Sequence, residues 1–369
     1  MTRRCRVFRL ATKSPDDVES LLALLASGEV DAAEVRAIFG KTEGNGCVND
    51  FTRALAVRAL KSALADPLGC TPAEAGDRVA MVMSGGTEGG LSPHLLVFVA
   101  GETEAPPVKS LAIGTASTRR FDPEDIGRMA QIDATAAAVV QAMADAGIAD
   151  PADIHYVQVK CPLLTSAAIF DATSRGATVV TFDTAKSMGF SRGASALGVA
   201  LALGEVAREN LGDEVVCRRL DLMSGRASAS SGVELGRSEI VVLGNSDRWS
   251  GDLVIGHRIM RDAIDLPAVF GALLDVGIVA SGQLDQSARE RVVAVLAKAD
   301  PSATGLIRGR RHIMLDDSDI QATRHARALV GGVIAGAIGF TDLFVSGGAE
   351  HQGFDGGGPV AIIARRPAM

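Results

Sequence analysis

The chain has 369 residues, a formal net charge of −7, 47% apolar residues and 41 glycines. That length exceeds one ordinary core and fits two or three domains, while an acidic balance without a basic stripe excludes a nucleic-acid footprint. No run approaches about 18 uninterrupted apolar residues, so no membrane partner is expected, and five scattered cysteines without a C-x-x-C pair point to reduced thiols in a cytoplasmic protein rather than a zinc ribbon.

In chain order, the N-terminus is basic but lacks the apolar core of a signal peptide, so residues 5–10 read as a first strand. Ser14-Pro15-Asp16-Asp17 opens a helix, Thr71-Pro72-Ala73-Glu74 is a capping box, and strands follow over 79–83 and 95–100. The polar, proline-bearing stretch 101–107 reads as a linker. Asp122-Pro123-Glu124-Asp125 opens a helix before Ile126. Strands are expected over 154–159 and 178–182, a helix over 194–205, and a strand over 240–243. A second linker covers 245–252, and strands over 291–296, 343–345 and 360–364 complete an α/β chain of three segments, 1–105, 108–250 and 252–369.

The segments repeat one another. The first carries Lys41, Phe51-Thr52-Arg53 and Ser84-Gly85-Gly86-Thr87-Glu88. The second carries Lys160, Phe190-Ser191-Arg192 and Ser230-Ser231-Gly232-Val233-Glu234, and the third Lys298, Ala322-Thr323-Arg324 and Ser346-Gly347-Gly348-Ala349-Glu350. One lysine, one arginine and one serine per copy make a site of nine residues if the copies close around an axis. Arg327, one turn after Arg324, competes with it for the third place.

The chemistry follows from the residue types. A serine hydroxyl attacks a carbonyl only when a base takes its proton, and a lysine is that base only when neutral. Reaching neutrality near pH 7 needs a drop of roughly 3 units from about 10.4, or about 4 kcal/mol, which burial and a nearby arginine supply. Each lysine ends an apolar run. The small-residue loops after the serines leave backbone N–H groups to hold an oxyanion. No phosphate-loop pattern occurs.

Other readings stand beside this one. Gly189-Phe190-Ser191-Arg192-Gly193 matches a nucleophile elbow after the expected strand at 178–182, although the repeat pairs Ser191 with Thr52 and Thr323, as a helix N-cap would be. Cys161, His155 and His351 read as structural. The loop 353–359 could offer carbonyls to a hard cation, helped by Asp300.

The stretch from Phe39 to Arg53, the stretch from Val345 to Gly353 and the triplicated pattern resemble the cyanuric acid hydrolase and barbiturase family of ring-opening cyclic amidohydrolases. The resemblance implies three similar domains around a pseudo-threefold axis, a central β-barrel with outer helices, and a homotetramer. It implies three Ser–Lys pairs, Ser84 with Lys41, Ser230 with Lys160 and Ser346 with Lys298, of which Ser230 and Lys160 are catalytic. Arg53, Arg192 and Arg324, with Gly85, Ser231 and Gly347, would bind a small cyclic imide or amide. Three matched sets suit cyanuric acid, whose ring edges are equivalent, better than barbituric acid. A binding protein for a cyclic anion is the non-catalytic alternative. No cofactor is needed for catalysis. A structural divalent cation, magnesium or calcium, is implied at Asp300, Ala349, Gln352, Gly353, Phe354 and Gly357.

Overall fold

The computed structural model describes residues 2–367. Its first third runs β1 (Thr2–Ala11), α1 (Glu19–Ala26), β2 (Val35–Thr42), α2 (Phe51–Ala65), α3 (Pro72–Arg78), β3 (Ala80–Gly85) and β4 (His94–Thr103). The middle third runs β5 (Ser110–Arg120), α4 (Met129–Ala146), β6 (Ile154–Pro162), α5 (Ser166–Ser174), α6 (Thr184–Ala202), β7 (Ala227–Gly232) and β8 (Arg237–Ser246). The last runs β9 (Leu253–Met260), α7 (Leu266–Asp275), α8 (Gln286–Arg291), β10 (Val292–Ala299), the ribbon β11 (Leu306–Ile307) and β12 (Arg310–Arg311), α9 (Ala322–Ile338), β13 (Phe344–Gly347) and β14 (Gly358–Arg365).

Three four-stranded sheets share one order. The strands run β1-β4-β2-β3, β5-β8-β6-β7 and β9-β14-β10-β13, so each sheet places its first, last, second and third strands side by side. In each, the second and third strands pair in parallel and the other two contacts are antiparallel. Even the irregularity recurs: the ladder shifts after the first residue of β2, β6 and β10, at Val35, Ile154 and Val292. Among the described residues, hydrogen bonding leaves these as three separate sheets, not one closed barrel.

Side chains join what the ladders do not. One apolar cluster takes Phe39 and Phe98 from the first sheet, Tyr156 and Val242 from the second, and Leu296, Phe344 and Ile363 from the third. Phe39 stands 4.8 Å from Phe98 and 5.4 Å from Phe344, ring centre to ring centre, in tilted contacts worth more than their area alone. Helices cover the outer faces, α2 and α3 on the first sheet and α7 and α9 on the third. Strands buried on both faces read as continuous apolar runs, which is why 95–100, 240–243 and 360–364 were legible.

Four expectations change. Residues 178–182 form a loop, with Phe182 exposed, and pair with none of the strands β5 to β8. The Asp122 signal yields a short 3-10 turn over Pro123–Asp125, and α4 begins at Met129. Helix α6 starts seven residues before Ser191, with Asp183 as its N-cap. Strand β7, with sequence Ala-Ser-Ala-Ser-Ser-Gly, has none of the branched residues by which strands announce themselves. The capping box at Thr71 forms as expected, with Thr71 and Glu74 bonded reciprocally.

Candidate active site

The shared sheet topology places the chemistry. In the parallel ladders Lys41 lies opposite Ser84, Lys160 opposite Ser230 and Lys298 opposite Ser346. Side chains at matched register positions point to one face of a sheet, so the topology that brings second and third strands together also brings each lysine to its serine.

The lysines then link the sheets in a ring. Each donates to the carbonyl just before another sheet's serine: Lys41 Nζ to Val345 O at 2.7 Å, Lys298 Nζ to Ala229 O at 2.8 Å, and Lys160 Nζ to Met83 O at 2.8 Å. All three are fully buried. Lys41 and Lys298 also reach their own serines, each at 3.3 Å. Lys160 instead lies 2.7 Å from the carboxylate of Glu234, and the Ser230 hydroxyl is bonded to that of Ser346 at 2.9 Å.

A second ring joins glutamates to arginines in the same sense. Glu88 holds Arg327 through two bonds of 2.6 and 2.8 Å, and Glu350 holds Arg192 likewise at 2.6 and 2.8 Å. The third pair is open: Glu234 is 4.0 Å from Arg53. Apart from its ion pair with Lys160, Glu234 has no hydrogen-bond partner among the described residues, and the buried Arg53 Nε makes no hydrogen bond. The glycines two residues after Ser84 and Ser346 explain part of the difference. Gly86 and Gly348 have φ of 108° and 77°, and a Cβ there would stand 2.6 Å from Arg327 and 2.4 Å from Arg192. At Gly232 the atom that a Cβ would meet, at 2.1 Å, belongs to Glu234 itself.

The three serines and Arg53, Arg192 and Arg327 line one small cavity, together with Gly85, Ser231 and Gly347, the residues after each serine. Gly46, Met83 and Met188 complete its wall, and sequence reasoning missed them. Arg324 is not in the lining. It bonds the outer side of Glu88 at 3.0 Å with its side chain 38% exposed, whereas Arg327 is 3% exposed. The three lysines lie behind the serines.

Burial lowers the proton affinity of all three amines. Burial pushes Lys41 well below its ordinary value, with Arg327 adding to the effect, and brings Lys298 to about 7. Burial lowers Lys160 too, against the opposing pull of Glu234. Burial raises the carboxyls, but the facing guanidinium groups more than offset it, so Glu88 falls below the usual range and Glu350 to about 2. The roles of these glutamates were not read from the sequence. The signal was their fixed spacing, four residues after each serine.

The other sequence candidates separate from this cavity. Ser191 is fully buried inside α6, where Gln131 Nε2 donates to its hydroxyl at 2.9 Å, so neither an elbow nor an N-cap exists there. His351 accepts from Cys217 N at 2.7 Å, a packing role. His155 meets His257 at 2.9 Å between β6 and β9. Asp300 is buried, its Oδ2 accepts from Ala349 N at 3.0 Å, and its Oδ1 has no partner. Burial, with Glu350 adding, pushes its carboxyl up to about 7. Among the described residues no three His, Cys, Asp or Glu side chains form a metal-holding group. A hard cation here would therefore rest on Asp300 and backbone oxygens, and the partnerless Oδ1 fits that role. No helix among the described residues is long and apolar enough to cross a membrane.

Residues 6–365 match the family model described as amidohydrolase ring-opening protein. The chain is 56% identical over 362 residues to a cyanuric acid amidohydrolase of Azorhizobium caulinodans, covering 98% of both chains. It is 56% identical over 369 residues to one of Bradyrhizobium sp. (strain ORS 375), covering 99% of this chain and 98% of the relative. A crystal structure of the hydrolase from A. caulinodans superimposes with a TM-score of 0.92 over 99% of this chain and 100% of that one, and another cyanuric acid hydrolase, 50% identical, does so with 0.95 over the same shares.

Proposed function

The chain belongs to the amidohydrolase ring-opening family, and from that premise we propose that it is a cyclic amide hydrolase that opens the ring of cyanuric acid. The observation that carries the reading is the convergence of three serines, each registered against a buried lysine, and three arginines on one cavity. A flat ring with three equivalent carbonyl and N–H edges meets three nearly equivalent sets of donors. Barbituric acid, with one ring nitrogen replaced by carbon, would leave one set mismatched.

In the proposed mechanism Lys160, neutral, takes the proton of Ser230 as its Oγ attacks a ring carbonyl carbon. Backbone N–H groups beside the serines hold the oxyanion. The carbon–nitrogen bond breaks, the leaving nitrogen takes the proton from Lys160, and a carbamate ester remains on Ser230. Water, giving its proton through Lys160, attacks that ester and frees the serine with 1-carboxybiuret, which loses carbon dioxide to give biuret. Arg53, Arg192 and Arg327 fix the ring, and the bidentate pairs to Glu88 and Glu350 keep two of them rigid.

Three further assignments belong to this reading. The like strand orders and the two cyclic sets of contacts support three units around a pseudo-threefold axis, with limits near 1–105, 108–250 and 252–369. Asp300 with the backbone of Ala349, Gln352, Gly353, Phe354 and Gly357 would hold a divalent cation, which would brace the loop carrying Glu350 and supply no chemistry. A homotetramer rests on the family resemblance.

The test is loss of ring absorbance and release of carbon dioxide from cyanuric acid and, separately, barbituric acid. Turnover of cyanuric acid alone supports the proposal. Turnover of barbituric acid alone moves the substrate and keeps the mechanism, and turnover of neither leaves a binding protein.

A further inference from the structure

Of the three glutamates that follow the serines, two are fully committed to arginines and one is not. Glu234 is buried between two cations, 2.7 Å from Lys160 Nζ and 4.0 Å from Arg53 Nε, with no other hydrogen-bond partner among the described residues. Lys41 and Lys298 reach their own serines, whereas Lys160 reaches the Glu234 carboxylate instead. A carboxylate desolvated beside an amine favours the ammonium form and fixes its direction.

The geometry points to Glu234 as the positioning residue of the reaction: it orients Lys160, stabilises the ammonium that forms when the lysine takes the Ser230 proton, and is shared with the substrate-binding Arg53. The logic is that of a nucleophile, a base and a third group holding the base. Lys41 and Lys298 have no such carboxylate contact, which singles out the middle lysine among three of equal register. Because Arg53 competes for the same carboxylate, a ring that draws Arg53 toward itself leaves Glu234 to Lys160, and one that releases Arg53 weakens the hold.

The charged and titratable groups facing Lys160 are Glu234, Arg53, Cys161 and, across the β6–β8 ladder, Glu239. Glu234 raises the lysine's proton affinity and Arg53 lowers it. Activity that needs the neutral amine therefore rises with pH through the Lys160 ionisation, and removing the carboxylate must move that rise to lower pH.

This inference rests on the assignment of Ser230 and Lys160 above, so Ser230→Ala is measured alongside. For Glu234→Gln the acidic limb of the kcat/KM profile should shift down by about 1 to 3 pH units, with kcat reduced at the optimum. Glu88→Gln, which touches no lysine ammonium at contact distance, should raise KM and leave the limb in place. Ionisation of the substrate is common to all the proteins and cannot produce a difference between them. Superimposed limbs for Glu234→Gln and the parent overturn the inference. If Glu234→Gln does not fold, Glu234→Asp, whose shorter side chain draws the charge back from Lys160, should give a smaller shift of the same sign, and no shift overturns it. Activity retained in Ser230→Ala would instead defeat the underlying mechanism.

Discussion

The middle set and the two flanking sets have the same sheet order, the same Lys–Ser register and the same lysine-to-carbonyl ring, yet their charges are wired differently. In the flanking sets the carboxylate is spent on an arginine and the lysine is bonded to its serine. In the middle set the carboxylate turns to the lysine, the serine is bonded to Ser346, and Arg53 keeps an unpaired Nε. In the proposed reaction a frame of three like sets would hold a symmetric ring, and the local break in the ion pairs would decide which copy reacts. The sequence trace of that break is small: Ser230-Ser231-Gly232 where the other copies read Ser-Gly-Gly.

The largest effects should come from treating the sets as interchangeable. Ser230→Ala should lower kcat by about 10⁴-fold or more, as loss of a nucleophile does, whereas Ser84→Ala should cost about 10-fold, mainly in KM, because one neutral hydrogen bond to substrate is worth about 1 kcal/mol. Steady-state kinetics of the two variants side by side decide it. Equal losses would make the three copies equivalent and dissolve the distinction.

The arginines give the next contrast. Arg192→Ala strands Glu350 without its bidentate partner in a buried site, and breaking such a pair costs about 3 to 5 kcal/mol. Its thermal midpoint should fall well below that of Arg53→Ala, where the carboxylate left behind still has Lys160 beside it. Both variants should raise KM. A larger loss of stability for Arg53→Ala would show that Arg53, not Lys160, is the main partner of Glu234.

How much of this was legible follows from what the residues are. Strands 95–100, 240–243 and 360–364 are double-sided core, so hydrophobicity alone marks them. Strand β2, which carries Lys41, escaped because Arg36, Gly40 and Lys41 break its apolar run, and β7, which carries Ser230, is built of alanine, serine and glycine. The repeat nonetheless picked out both side chains as candidates, since spacing survives where propensity is silent. Arg324 against Arg327 was undecidable from spacing: both follow the third helix start, and only the turn of α9 sends Arg327 inward and leaves Arg324 on the outer side of Glu88. The glutamate–arginine pairs join residues from different thirds of the chain, and no local pattern encodes them.

The smallest effects lie in the loop glycines, and they test how the asymmetry is built. Gly348 combines φ of 77° with the Arg192 guanidinium 2.4 Å from where a Cβ would stand. Gly348→Ala must therefore strain the backbone, at about 1 to 3 kcal/mol, and push back the arginine that Glu350 holds, so Tm and KM should both suffer. At Gly232 the backbone is ordinary and the obstructing atom is the end of a flexible glutamate. Gly232→Ala should then leave Tm within a few degrees of the parent, as expected where less than about 1 kcal/mol is lost. Its Glu234 side chain must swing off its present position, and among the described residues the other cation within ion-pair distance is Arg53. If the middle loop differs from the others by this carboxylate, Gly232→Ala should shift the acidic limb of the pH profile in the same direction as Glu234→Gln, by less. A Tm loss equal to that of Gly348→Ala with an unmoved limb would place the difference between the sets in backbone shape and not in the ion pair.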